Sequence, residues 1–532
     1  MRETIGALKM FAQFPFALRR YLRCRLTADE AARIVRDRMK QREENFLSWV
    51  ERGIYNFHRS PYLPLLKSVR CEIDDLRELV QRNGLESALY KLRAEGVYVT
   101  YEEFKGRKPI VRNGATIPVR ASDFDSPFAR RDFASETSGS TGLATAVGIG
   151  LDYFVARAPH QTLFLAVHDV VNAPTAYWLP ILPGSGLQFI LQRTDLKDPI
   201  HQWFSATGWL DSKHWLKYDV AMIYILWWMR LLGARIRGPE IVKLDHALSI
   251  AHWIRDELKT HSRCVLHTTP SQALRVAVAA QEAGIDLTGA LARIGGEPVT
   301  PAKVATMQGA GLCVAPAYGM TETSTTALGC MHPAAPDDYH LLKDAFALIA
   351  FPYALEALGI TVPAFNLTTL LDNAPKLMLN VQIDDYGVVE ERACGCEFER
   401  LGYTTHLSEI HSYSKLVGEG VTLIGNEMLR VLEDLLPSRF GGSPLDYQLM
   451  EQEDPQGFTR LYLIVHPRVK IADERAVIDV ILQGLRHSSP MADAARAVWQ
   501  QAHTIQIKRQ EPVWTAGGKL MPLHIQRSAR NP

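Results

Sequence analysis

The feature that most restricts the fold is an alternation running from about residue 145 to 345. Short apolar runs, Tyr177 to Leu182, Cys264 to His267 and Leu312 to Ala315, are separated by stretches with helical spacing such as Gln272 to Ala283. Strand-length apolar segments that keep returning between helices predict an α/β fold, a sheet covered by helices. The texture differs on either side. Residues 28–110 read as a helical lead-in. Thr27-Ala28-Asp29-Glu30 offers a helix start, and Phe46, Val50 and Ile54 recur at helical spacing. After about residue 415 come a helix over Asn426 to Leu436, a strand over Arg460 to Val465, a helix over Ala472 to Leu485 and a strand over Ile505 to Lys508. They predict a small separate α+β unit. The expectation is a large multi-sheet α/β domain over 1–411 and a small α+β domain over 412–532.

Charge narrows the partners. With 59 basic and 58 acidic side chains, nothing in the balance favours nucleic acid or an anionic membrane. Met1 to Thr27 is apolar and basic, with Arg19, Arg20, Arg23 and Arg25, but has no small-residue cleavage site. It reads as an amphipathic helix that packs on the body or lies on a surface. Val220 to Met229 is apolar but far short of the roughly 20 residues a spanning helix needs, so it reads as a buried helix. A cytoplasmic protein, monomer or homodimer, is expected. Seven cysteines in such a chain should be thiols or metal ligands. Cys24, Cys71, Cys264 and Cys313 are scattered and read as small buried apolar residues.

Four motifs carry chemistry. Thr137-Ser138-Gly139-Ser140-Thr141-Gly142, continuing to Thr145, is a glycine and hydroxyl run that lets a backbone approach phosphates. No Gly-Lys-Ser/Thr closes it, so it is not a Walker loop. Gly295-Gly296-Glu297-Pro298 marks a tight loop that could lie flat against a base. Tyr318-Gly319-Met320-Thr321-Glu322 follows an apolar strand. Its aromatic can stack on a purine, its threonine can reach a phosphate and its carboxylate can hold Mg²⁺. Gly517-Gly518-Lys519 puts a cation on a flexible loop near the C-terminus.

In this order the four motifs resemble the adenylate-forming superfamily of acyl-CoA synthetases, adenylation domains and luciferases. The phenylacetate–CoA ligase-like branch shares the Gly295 to Pro298 loop and a stretch like His58-Arg59-Ser60-Pro61-Tyr62. The resemblance covers about residues 45 to 525. It implies that Thr137 to Thr145 bind phosphate, and that Gly295 to Pro298 and Tyr318 line the adenine of ATP. It further implies that Thr321 contacts the α-phosphate and Glu322 ligates Mg²⁺. Asp385 would hold the ribose, Lys415 would mark a hinge and Lys519 would stabilise charge during adenylation. The small domain would be mobile about that hinge. Two stretches depart from the family pattern: Ser412-Tyr413 stands where Gly-Arg is usual, and Leu377 to Val381 lacks the usual Arg-Tyr.

The implied activity is ATP-dependent activation of a carboxylic acid to an acyl-adenylate, followed by transfer to CoA. Two alternatives stay open. One is an amide-forming ligase with an amine or carrier-protein acceptor; the other is a nucleotide-binding regulatory protein without catalysis. Tyr177 to Pro180 and Leu266 to Ser271, including His267 and Thr268, resemble the walls of the family's acyl pocket. Their apolar and aromatic character, with few cations, suits an aryl or medium-sized hydrophobic acid better than a dicarboxylate. Separately, Cys330, Cys394 and Cys396 with either His332 or His340 suffice for a closed tetrahedral Zn²⁺ site, structural in kind.

Overall fold

The computed structural model describes the chain except residues 1, 137–145, 183, 194, 198, 209–214, 298, 356–359, 413–414, 419–420, 425–430, 443–445, 454–458, 485–504, 514–522 and 527–532. The fold is α/β, as the alternation predicts. A 13-stranded sheet dominates it, and its two halves differ in direction. In one half the strands Thr175–Trp178, His201–Ser205, Ile236–Ile241, Cys264–Thr268, Ala290–Gly295 and Cys313–Met320 run parallel. Three of them, Thr175–Trp178, Cys264–Thr268 and Cys313–Met320, fall on the expected apolar runs; all five residues of Cys264–Thr268 and the first five of Ala290–Gly295 are buried. A parallel strand with helices on its faces has no solvent side, so it needs a continuous apolar run. The helices Leu151–Val167, Pro270–Glu282 and Pro301–Gly309 belong to this half. The last two start with proline after a threonine N-cap, at Thr269 and Thr300, whose side chains accept the orphan N–H of the first turn.

The other half is antiparallel. Cys313–Met320 turns back through Ser324–Gly329 to Tyr339–Leu341, then Thr405–Ser412, Val381–Glu391, Ile360–Thr369 and Phe346–Leu355. The direction of the sheet therefore reverses at one hairpin, the one that carries the Tyr318 to Glu322 motif.

The lead-in is helical from Ala28 to Ala94. Thr27 and Glu30 form a reciprocal capping box at its start. It does not stay helical to 110. Gly96 takes φ +98, and the β-branched Val97 and Val99 follow; Val99–Thr100 then pairs in parallel with Val381–Glu391. The N-terminal helix Arg2–Tyr21 packs Phe14, Leu18 and Tyr21 into the body. The apolar segment near 220 is a helix, Trp215–Leu231, but only one face is buried. Met222, Ile225 and Met229 are covered, while Val220, Ile223, Trp227 and Leu231 are each more than half exposed. Among the isolated cysteines, Cys71 and Cys264 are buried as expected, whereas Cys24 is half-buried and Cys313 is exposed. No helix among the described residues is long and apolar enough to cross a membrane.

Past Ser412 the chain forms the hairpin Lys415–Gly418 and Val421–Ile424, then a four-stranded sheet. Tyr447–Glu453, Thr459–Val465, Ile505–Arg509 and Leu523–Gln526 make that sheet, and the helix Glu474–Gly484 belongs to the same region. Val431, Leu449, Leu463, Val477 and Ile481 belong to an apolar cluster of its own. The expected helix at Asn426 is described only from Val431, as a turn of wide helix over Val431–Leu435 and a short helix Leu436–Phe440.

Candidate functional site

The C-terminal ends of the parallel strands gather the motifs at one edge of the sheet, where open α/β sheets bind ligands. Gly295 at the end of its strand lies opposite Ala317, so the Gly-Gly-Glu loop and the Tyr-Gly-Met turn are neighbours. Gly296 takes φ +87, a conformation side chains resist. Glu297 bends back: one carboxylate oxygen accepts from the Ser271 backbone N–H at 3.1 Å and from its hydroxyl at 2.5 Å. Ser271 is in the first turn of the helix Pro270–Glu282, where a carboxylate is favoured by the helix dipole. The loop is thus pinned while Gly295 and Gly296 remain accessible.

The Tyr318 turn is shaped by Gly319. The ladder bulges between Tyr318 and Gly319, and a Cβ on Gly319 would lie 1.9 Å from the Ser324 carbonyl oxygen. Only glycine fits that approach. The Tyr318 hydroxyl donates to Asp385 Oδ2 at 2.7 Å. Two residues 67 apart in sequence, assigned to adenine and ribose by resemblance, therefore meet directly. Burial, and then the Asp385 charge, push the Tyr318 phenol well above its ordinary range. Asp385 is itself half-buried and pairs across the ladder with Ser412, the last residue of its strand. Met320 ends the Tyr318 strand, and the Thr321 carbonyl accepts from the Gln188 amide at 3.0 Å.

Glu322 behaves differently from the expectation. It is buried, and its carboxylate is paired with the buried ammonium of Lys105 from the lead-in. Burial alone would raise this carboxyl; the Lys105 charge and hydrogen bond outweigh it and hold it below 4.5. A carboxylate so engaged does not fit a magnesium ligand, and no step is assigned to a metal there. No local pattern in the sequence announces Lys105, whose partner is 217 residues away.

Several expected residues lie outside the described part: Thr137 to Thr145, Pro298 and Lys519. The strands that bracket the first of these, Phe133–Glu136 and Ala146–Ile149, pair antiparallel with Glu136 opposite Ala146. Lys415 begins the hairpin beyond Ser412, opposite Ile424. The expected acyl walls adjoin the motif edge. Tyr177 and His267 are ladder partners with rings 5.8 Å apart, and Phe189 meets the His267 ring edge-on at 5.1 Å. Burial, then Arg293 and Arg193, hold His267 well below its ordinary value, so it is a neutral ring. The Thr268 hydroxyl is 2.9 Å from the Trp178 carbonyl and is buried, which makes it a strut between strands.

A second centre lies in the antiparallel half. Ligand atoms of Cys330, His340, Cys394 and Cys396 all fall within 4.8 Å of one another. His340 Nε2 is 3.6 Å from Cys394 Sγ and 3.1 Å from Cys396 Sγ. His340 Nδ1 is 2.6 Å from the Tyr403 carbonyl, which can only accept, so Nδ1 carries the proton and Nε2 presents its lone pair to the thiols. The Cys330 thiol, and then His340, draw Cys396 toward the thiolate, against the effect of burial. Glu399 fixes the Cys394 turn by accepting from its N–H at 2.7 Å. His332 is exposed, with its ring directed at the Cys394 carbonyl at 3.0 Å, and is outside the cluster. Three thiols and one oriented imidazole fit zinc.

No protein-family model and no curated protein matches the sequence. Solved structures do match. A 2-hydroxyisobutyryl-CoA ligase in the postadenylation state aligns over 92% of this chain and 90% of its own, at 14% identity and TM-score 0.44. The chain is similar to CoA ligases and adenylation proteins. An amide bond synthetase from Marinactinospora thermotolerans aligns over 77% of this chain and 71% of its own, at 13% identity and TM-score 0.42. The o-succinylbenzoate CoA synthetase of Bacillus subtilis aligns over 82% and 79%, at 13% identity and TM-score 0.42.

Proposed function

We propose that the chain is an adenylate-forming ligase. It would activate a carboxylic acid with ATP as an acyl-adenylate and pass the acyl group to CoA. The observation that supports this reading is the contact between Tyr318 and Asp385 beside the Gly295–Gly296 loop. It sets an aromatic ring, a carboxylate and a bare backbone edge together, as an adenosine requires. The bracketed segment 137–145 would take the phosphates. Tyr177, Phe189 and His267 would form an apolar and aromatic wall suited to an aryl or hydrophobic acid. The C-terminal unit, 412–532, would rotate about Lys415, bringing Lys519 in for adenylation and withdrawing it for transfer.

The test is acid-dependent ATP–pyrophosphate exchange by the full chain across a panel of aryl and aliphatic acids. At least one acid should switch exchange on. A folded, ATP-binding protein that shows no exchange with any acid defeats the reading.

Zinc would hold the Cys330, His340, Cys394 and Cys396 segments together, a structural crosslink with its shell closed. Purified protein should carry about one zinc per chain by elemental analysis. Cys396→Ser and His340→Ala should lose it, and His332→Ala should keep it. Zinc-free wild-type protein, or equal loss from both histidine variants, would refute the ligand set.

A further inference from the structure

Behind the Thr321 turn lies a small cavity whose walls are cationic and lack a carboxylate. Arg157, His160, Gln161, Gln192, Arg293 and Thr325 line it together with apolar side chains, and its volume is about 20 Å³. Arg157 and Arg293 are 6% and 4% exposed, and Gln192 is 7% exposed. Their described partners are neutral. One Arg157 nitrogen donates to the Thr325 carbonyl, and Arg293 donates to the Gln161 amide oxygen and, at 3.3 Å, to the Thr325 hydroxyl. The faces of the guanidiniums lie over Phe346 and Phe164, at 4.9 and 4.4 Å.

Three donors remain with no acceptor: Arg157 Nη1, Arg293 Nε and Gln192 Nε2. The Thr325 hydroxyl, which accepts from Arg293, donates to Gln192 Oε1 at 3.0 Å. With Oε1 so engaged, the NH₂ is the end without an acceptor. Asp344, the carboxylate that holds His160, takes His160 and the Tyr403 hydroxyl on Oδ1, each at 2.7 Å, and its Oδ2 lies 3.7 Å from Arg38. Burial, and the neighbouring Arg157 and Arg193, lower the Arg293 guanidinium to about 10, still charged at neutral pH. Two buried cations without a counter-charge are costly, and an anion relieves that cost.

The cavity adjoins the proposed acyl wall. Arg293 is the ladder partner of His267, and His267 of Tyr177. Gln188, one helical turn before Gln192, bonds the Thr321 carbonyl and the Ser324 hydroxyl. We propose that this cavity is a subsite for a carboxylate at the far end of the activated acid, so that the substrate is a dianion with an apolar or aromatic body. The room is roughly that of one small group, so it seats a head and not the whole acid. The source of the carboxylate rests on the acyl-adenylate reading; the anion preference rests on the cavity alone.

Calorimetric titration of the full chain separates the two. Phenylacetate, 4-carboxyphenylacetate, acetate and chloride would be compared on wild type, Arg157→Gln and Gln192→Leu. The second variant keeps both guanidiniums and serves if the first does not fold. The diacid should bind about tenfold or more tighter than the monoacid, from charge-assisted bonds to buried donors. That advantage should shrink in both variants while phenylacetate binding is unchanged. Equal binding of diacid and monoacid to wild type overturns the proposal, as does an advantage that survives both substitutions. Saturation by acetate or chloride with no gain for the diacid makes it a site for free anions and overturns the substrate assignment. A diacid preference without pyrophosphate exchange keeps the subsite and defeats only the ligase reading.

Discussion

Replacing Lys105 by methionine is expected to destabilise the protein by about 3–5 kcal/mol, the usual cost of stranding one partner of a buried ion pair. Both side chains of the Lys105–Glu322 pair are 3% exposed, so solvent cannot take over the lost contact. The pH dependence should change sign. In the wild type, the Lys105 charge holds Glu322 below its ordinary value despite burial. Its contribution is therefore complete above the unfolded value and fades as pH falls through the lower folded one. Without Lys105, burial dominates and raises the carboxyl, so the variant should recover stability as pH falls and Glu322 takes up a proton. Adding Glu322→Leu to Lys105→Met should return much of the loss, because an apolar pair leaves no buried charge. Denaturation followed by near-ultraviolet circular dichroism at two pH values reads all three. A single variant as stable as wild type would mean that the pair is not buried in solution.

Lys519→Ala should lower acid-dependent pyrophosphate exchange by about 10²–10³-fold, the range seen when one preorganised donor to a developing anion is removed. Carboxylate attack on the α-phosphorus concentrates negative charge, and a cation brought there by the C-terminal unit would act mainly on the transition state. The loss should appear in the rate at saturating ATP and acid, with little change in ATP affinity. Exchange at the wild-type rate would remove Lys519 from the reaction. A matching loss of ATP affinity would make it a binding residue instead.

Much of this architecture was legible in the sequence, and the exceptions share a cause. Short-range physics reads well: the Thr27–Glu30 capping box, the apolar parallel strands and the Cys394–Cys396 pair each declare themselves within a few residues. Tyr318 and Asp385 were each singled out by a motif pattern, but their direct contact was not legible. What could not be read depends on distant partners. Lys105 looks like an ordinary surface lysine until the fold delivers Glu322 to it. Arg157 and Arg293 did leave a trace, as single cations inside an apolar helix and an apolar strand. The choice of His340 over His332 needed the ladder that sets Tyr339–Leu341 beside Thr405–Ser412 and the cysteine loop. The exposed face of Trp215–Leu231 is not legible because its composition is apolar all round, and composition does not say which side finds a neighbour.

The hairpin at Gly319 has a consequence for how such a chain can change over generations. The same few residues form the proposed nucleotide edge and the point where the sheet switches direction. A substitution at Gly319 would press on the Ser324 backbone and part the two halves of the sheet, whatever it did to ligand binding. Mutational drift there is constrained twice, once by activity and once by the ability to fold. A descendant that gave up catalysis would still have reason to keep the turn. Retention of Tyr318 to Glu322 in a relative is therefore weaker testimony to activity than retention of Lys519 would be if Lys519 acts as proposed.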